Sequence, residues 1–445
     1  MTALMDHPTV KLYRENRKPV PPGIVDADWL RQLCLETGAD DAGFVGIDRA
    51  ELDDQRADIL KVFPRARALI SIVSRMNREA IRSPARSVSN LEFHHTTDHV
   101  DEISHRIAAA LERTGIRAMN PAVGFPMETA QFSTGGRPWV VSHKPVAVAA
   151  GLGRMGIHRN VIHPRFGNYI LLGTVVMEAE VTAYDHPIDY NPCLECKLCV
   201  AACPVGAISP DGYFNGAACY THNYREFQGG FTDWVAILTD SRNSREYGKK
   251  VSRPETVSMW QSLSYGANYK SAYCMAVCPA GEDVIAPFLE NRREYLQDVV
   301  KPLQDKVETI YVVAGSDAEA HVAHRFPHKK TKQVHNGLRP STVRTFLEGL
   351  PIAFQPQQSG GVNAVYHFTF TGRENVKATL TIRDRKLKVE RGHKGNADLS
   401  VTADGETWIK FLAKEQNLVL ALLFRRIRIK GNPRLLLAFG RCFPS

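Results

Sequence analysis

The chain has 445 residues, 44% of them apolar and 23% charged, the balance of a soluble globular protein long enough for two or three cores. The opening MTALMDHPTVKLYRENRKP has neither the apolar run of a secretory signal nor a twin-arginine pair, and no stretch offers the ~20 apolar residues of a membrane span. The expected location is therefore the cytoplasm. The net charge of +9 is local. Arg339 to Ser445 carries 18 Lys+Arg against 8 Asp+Glu, while the rest of the chain is close to neutral. The basic excess marks one end of the protein, as a solvated face or one turned toward a polyanion.

After a lead-in with Pro19, Pro21 and Pro22, Asp26 reads as the cap of a helix to about Glu36, with Trp29, Leu30, Leu33 and Cys34 on its apolar side. Cys34 reads as a small core hydrophobe. Gly43–Ile47 and Ala68–Val73 have the composition of buried strands. Val100–Leu111 has helical apolar spacing and stops near Gly115, and Ile116–Met119 follows as a strand. This alternation predicts an α/β layered domain. His94, His95 and His99 lack a zinc spacing and read as hydrogen-bonding groups in a polar pocket. Gly151–Gly156, GLGRMG, satisfies G-x-G-x-x-G, with Glu178 and Glu180 at the distance of a ribose-binding acid. The dinucleotide fingerprint also needs a helix at the last glycine. Here Pro164 and Gly167 break any such helix, so a backbone approaching another large cofactor fits better.

Cys193 to Pro204, CLECKLCVAACP, reads C-x2-C-x2-C-x3-C-P, the spacing by which bacterial-type ferredoxins hold iron–sulfur clusters. Cys219 stands alone, and Cys274 and Cys278 form C-x3-C-P. Closing cysteines in two-cluster ferredoxins serve the other run's cluster. The expected sites are Cys193, Cys196, Cys199 and Cys278 for one cluster, and Cys203, Cys219 and Cys274 for the other. The pattern places a fourth ligand of the second site at position 271, which is Ser271; His222 is another residue able to close the gap.

Asp283–Leu303 reads as helix, Thr309–Val313 as strand, and PHKKTKQVHNGLRPS from Pro327 as a basic linker. Period-two strands follow at Val365–Phe370, Ala378–Ile382 and Lys386–Val389. Apolar helices are expected at Gly405–Lys414 and Leu418–Phe424, a strand at Ile427–Lys430 and a final helix at Pro433–Phe439. The apolar helices are either plain core or the lining of a cavity for an apolar ligand.

From about Asp26 to Pro279 the chain resembles the cobalamin-dependent iron–sulfur reductases, the group of epoxyqueuosine reductase and the reductive dehalogenases. The resemblance rests on AGLGRMGIHRNVIHPRFGNYILLG (Ala150 to Gly173), CLECKLCVAACPVGAI, Cys219 and Cys274-x3-Cys278-Pro279. It implies a nitroreductase-like α/β core, two inserted [4Fe–4S] clusters and base-off cobalamin lined by Gly151, Leu152, Gly153, Gly156, His163, Pro164 and Gly167. The short D-x-H-x-x-G motif, whose histidine replaces the cofactor's own base, is absent. From about Ser341 to Phe443, VYHFTFTG, NADLSVTADGETWIKFLAKE and IRIKGNPRLLLAF resemble the sterol carrier protein type 2 family, which implies a five-stranded sheet and helices around an apolar tunnel. The expected organisation is a cobalamin-binding domain at 1–185, a ferredoxin-like module at 186–290, an extension and linker at 291–340, and the sterol-carrier-like domain at 341–445.

The family's catalytic aspartate segment has its nearest counterpart at Glu128 in METAQF, 23 residues before Gly151; His143 is a rival proton donor. The tyrosine acid common among dehalogenases has no counterpart between Tyr13 and Tyr169, and the family's helical-repeat tail that helps hold tRNA is absent. The expected function is a reductase fed by a low-potential ferredoxin- or flavodoxin-type donor. Its clusters would reduce cobalamin for reduction, including dehalogenation, of a hydrophobic molecule or lipid. Epoxide reduction on tRNA and a non-catalytic electron carrier are the alternatives.

Overall fold

A computed structural model describes residues 2–16, 23–128, 138–337, 340–413, 415–416 and 418–444. The proline-rich lead-in at 17–22, the rest of METAQF after Glu128, and Lys414 lie outside the described residues.

Asp26 caps the helix Ala27–Thr37 by accepting from Trp29 N, and Gly38 ends it in the left-handed region. Leu30 and Cys34 are buried, but Trp29 is 44% exposed. It sits in the first turn, where a side chain leans back past the helix end, so it does not join the apolar face. The sheet that follows has the order Asp41–Gly46, Ala68–Arg75, Ile170–Met177, Ala118–Met119, antiparallel throughout. Alternate residues of Ala68–Arg75 serve opposite faces. Ala68, Ile70 and Ile72 pack with the helices Ala27–Thr37 and Arg86–Arg113, while Leu69 packs with Ile59, Val146 and Ala149 on the other side. The result is a sheet between two helical layers.

The helix expected from Val100 starts fourteen residues earlier, at Arg86. Its first half lacks an apolar stripe because its contacts are polar. The Asn90 side chain brackets Tyr269, accepting from Tyr269 N at 2.8 Å and donating to Tyr269 O at 3.1 Å. Ile170–Met177, the partner that closes the sheet, carries no sequence expectation of its own.

The cysteine-bearing region has no separate interior. Leu198, Ala202, Tyr273 and Ala276 share one core with Met76, Ile81, Phe93 and Tyr169 from the first domain, and with Val300, Leu303, Ile310 and Val322 beyond it. The helix expected over Asp283–Leu303 is divided: Ala286–Glu290, then Arg292–Tyr295 capped by Asn291, a π turn at Leu296–Val300, and Lys301–Asp305. The expected basic linker holds a strand instead. Lys330–Gln333 pairs in parallel with Thr309–Val312, anchored by buried Lys329, which reaches Glu308 at 2.9 Å and Lys306 O at 2.7 Å.

The C-terminal domain has its own core. Its five strands run in the order Lys386–Arg391, Val376–Arg383, Ala364–Thr371, Leu399–Asp404, Ile427–Gly431, with only the Ala364–Thr371 and Leu399–Asp404 pair parallel. Phe346, Phe368, Phe370 and Trp408 pack ring against ring with centroids 5.6–6.4 Å apart. These rings fill the space between sheet and helices. The very apolar late helices are only half used for core, since Leu420, Leu423, Phe424 and Leu437 are exposed. Among the described residues, no helix is long and apolar enough to cross a membrane.

Candidate functional site

The seven clustered cysteines converge from three segments that are distant in sequence. Lys197, with φ 60°, turns the chain into the short helix Leu198–Ala202 that carries Cys199. Ala272, with φ 45°, does the same for Tyr273–Ala276, which carries Cys274. The two helices pack against each other. Cys193, Cys196, Cys199 and Cys278 line one small pocket, with Ile157, His158 and Pro279 also in its wall. Burial raises the Cys199 thiol pKa, and neighbouring Cys274, Cys278, Cys196 and Cys193 raise it further. The Cys278 thiol is pushed up to about 11 by burial, with Cys196 and Cys193 adding to the rise.

A second group meets beside it. Burial raises the Cys219 thiol pKa, with Cys274 and Cys203 as its thiol neighbours. Cys274 is pushed up to about 12 by burial and by Cys203, while Lys144 opposes the rise. Cys203 Sγ accepts from Ala207 N at 3.3 Å, and the amides of Val205, Ile208 and Gly206 also face it. Amide donors aimed at a ligand sulfur stabilise charge on it. Thiolates, unlike these neutral thiols, are iron ligands. The donor chemistry, thiols with amide donors at their sulfurs, is that of an iron–sulfur site, although among the described residues no group of three or more His, Cys, Asp or Glu is drawn together closely enough to hold a single metal ion.

Ser271 and His222 lie differently. His222 is buried, its Nδ1 takes Tyr311 N at 3.3 Å, and burial with nearby Lys270, Lys329 and Lys306 lowers its pKa to about 3. Its Nε2 is buried and makes no hydrogen bond among the described residues. Ser271 is bound to Asn223 through both N and Oγ.

The residues assigned to cobalamin are engaged by the protein itself. At Gly151, Gly153 and Gly167, all with positive φ, a Cβ would run into the carbonyls of His186, Ile162 and Ala280 respectively. At Gly156 it would meet Ile162 and His158. Leu152 is core. His163 pairs with Asp41 at 3.0 Å and stacks on Phe166, while Pro164 O accepts from Glu282 N. In place of the helix a dinucleotide fingerprint requires, Arg154–Met155 and Val161–Ile162 form a small hairpin. These contacts account for the glycine pattern without a cofactor.

Of the two acid candidates, Glu128 is exposed. His143 is enclosed between Thr174 Oγ1, 2.9 Å from Nδ1, and Ala122 O, 3.1 Å from Nε2, and burial lowers its pKa. Sequence reasoning passes over Lys144, whose Nζ donates to Arg159 O at 2.8 Å and Asn160 Oδ1 at 2.9 Å, and whose charge acts on Cys274 and Cys219. It also passes over Tyr224, packed edge-on to Tyr269 and electrostatically coupled to the same two cysteines. Neither residue belongs to a spacing motif; only the fold brings them to the thiols. His94 hydrogen-bonds Asn268 from the long helix and lies against Gly266.

Residues 186–209 match the 4Fe-4S binding domain. Residues 355–444 match the SCP-2 sterol transfer family. The C-terminal domain is thus a sterol carrier protein type 2 domain, and the chain carries an iron–sulfur binding segment. Similar curated proteins include epoxyqueuosine reductases. That of Cellulophaga algicola is 32% identical over 113 residues, covering 23% of this chain and 36% of its own. That of Gloeobacter violaceus is 27% identical over 183 residues, covering 41% and 54%. The chain spans between a third and about half of the length of these relatives. Similar solved structures include an epoxyqueuosine reductase with a modified tRNA stem loop (20% identity, 44% of this chain and 56% of that one, TM-score 0.32). They also include a catabolic reductive dehalogenase with 3-bromo-4-hydroxybenzoic acid (16% identity, 66% and 34%, TM-score 0.36).

Proposed function

We propose that this protein is an iron–sulfur oxidoreductase of the epoxyqueuosine reductase kind, carrying two clusters, with epoxide reduction on tRNA as its reaction. The observation that carries the reading is the convergence of seven cysteines into two adjacent thiol sets within a core shared with the first domain. Cys193, Cys196, Cys199 and Cys278 would hold one cluster and Cys203, Cys219 and Cys274 the other. The clusters would supply one-electron transfer from a ferredoxin- or flavodoxin-type donor. The chain's own residues keep water from Cys199, Cys203 and Cys278, which are buried, and Cys274 and Cys278 on one short segment place the two sets side by side. Lys144 holds a positive charge at Cys219 and Cys274. His143, kept neutral by burial and held by Thr174 and Ala122 O, would relay a proton rather than store one.

Cobalamin belongs to the proposal through the family resemblance, with Gly151, Leu152, Gly153, Gly156, His163, Pro164 and Gly167 as the residues that would line it. Basic residues of the C-terminal domain would meet the tRNA backbone, giving salt-dependent affinity. A second reading, a hydrophobic organic substrate, is favoured by the sterol carrier domain joined to the same chain. The deciding experiment deletes the gene and analyses tRNA nucleosides. Accumulated epoxyqueuosine, reversed by the wild-type gene, supports the tRNA reading. Unchanged queuosine would remove it in favour of the hydrophobic substrate.

A further inference from the structure

The second thiol set lacks a fourth cysteine, and the structure shows what stands in its place. Cys219 and Asn223 are four residues apart on the helix Gly216–Asn223 and so share a face. Asn223 Oδ1 gathers three donors: Ser271 N at 2.9 Å, Ala272 N at 2.8 Å and Ser271 Oγ at 3.3 Å. Ser271 O is taken by Arg86 at 2.7 Å. Ser271 is therefore fixed to the residue one helical turn beyond Cys219, and it lies three residues before Cys274, at the position where C-x2-C-x3-C-P would put a thiolate. Its hydroxyl points its proton at Asn223, and a neutral alcohol is a poor iron donor beside thiolates. Lys144 sets a positive charge against Cys219 and Cys274, and its side chain is exposed.

We propose that the second cluster is held by Cys203, Cys219 and Cys274 alone, and that its fourth iron keeps an exchangeable position for a small anion or a substrate oxygen. This inference rests on the two-cluster reading above. Three thiolates would hold three irons firmly, so ferricyanide would release the fourth: one electron would pass to ferricyanide, one Fe²⁺ would leave, and a three-iron cluster would remain. Lys144 favours an anion at this corner, as a cation near a vacant ligand position does.

The test uses the full chain, reconstituted anaerobically and treated with ferricyanide. Iron is counted and low-temperature EPR recorded for the wild type, Ser271→Ala and Ser271→Cys. The expected result is loss of one iron per chain and a three-iron signal in the wild type and Ser271→Ala alike, with neither in Ser271→Cys. Cyanide added to the reduced protein should alter the spectrum of the first two and leave Ser271→Cys unchanged. Wild-type protein that keeps all its iron while Ser271→Ala loses one would overturn the proposal and make the serine a ligand. Wild type and Ser271→Ala both keeping all their iron would overturn it in favour of another closing residue. If Cys219→Ala leaves the iron content unchanged, there is no second cluster, and the two-cluster reading fails with this one.

Discussion

At Gly167 the first domain crosses the segment after Cys278 so closely that a Cβ would enter the Ala280 carbonyl, and the backbone is already at φ 66°. Backbone cannot yield as a side-chain tip can. Gly167→Ala is therefore expected to cost more than ~2 kcal/mol and to loosen the cluster bound through Cys278. Gly124→Ala, with open space at its Cβ and no positive φ, should be silent in the same thermal melts. His143 gives a pH signature. Burial lowers its folded-state pKa below 6.5, so the folded state binds fewer protons than the unfolded one. Its contribution to stability is present above about pH 6.5 and is lost as pH falls toward the lower folded value. His143→Gln should flatten that part of a stability–pH curve measured by denaturant titration. A variant with the same acid limb as the wild type would show that the histidine is not held neutral.

Among the elements, the Lys330–Gln333 strand shows how a sequence conceals its structure. KTKQ has no apolar alternation and sits in a basic run, yet it adds to a parallel pair because Lys329 is buried beside Glu308. Removing that lysine leaves a mostly buried carboxylate without its main partner. Lys329→Ala is thus expected to destabilise by ~3 kcal/mol and to free the strand for rapid amide exchange. The elements legible in sequence are those built on apolar periodicity or turn chemistry: Ala27–Thr37 with its Asp26 cap, Ala68–Arg75, and the strands of the C-terminal sheet. Arg86–His99 is hidden because its partners are the polar Asn90 contacts and the rings of Phe93 and Tyr269. The cysteines proposed as ligands are legible because their spacing is itself the chemistry. Lys144, Tyr224 and the Ser271–Asn223 lock are not, since they gain meaning only from residues that the fold brings beside them.

On the scale of the molecule there are two kinds of junction. The first domain and the cysteine region share one interior, so neither is expected to fold without the other. The sterol carrier domain keeps its own core and meets the rest through polar ties. Asp317 accepts from Gln357 N at 2.9 Å and Gln358 N at 3.1 Å, Asp317 N donates to Gln355 Oε1 at 3.0 Å, and Asn336 donates to Pro444 O at 3.2 Å. Separate cores joined by few bonds unfold separately, so calorimetry should resolve two transitions. Asp317→Ala should lower whichever of them the interface supports, without merging them.

Iron and acid-labile sulfide content of the anaerobically reconstituted chain, with EPR of the reduced protein, tests the central claim most directly. About eight irons, falling by about half in both Cys278→Ala and Cys219→Ala with different signals surviving in each, is the expected result. About four irons, indifferent to Cys219, would contradict it.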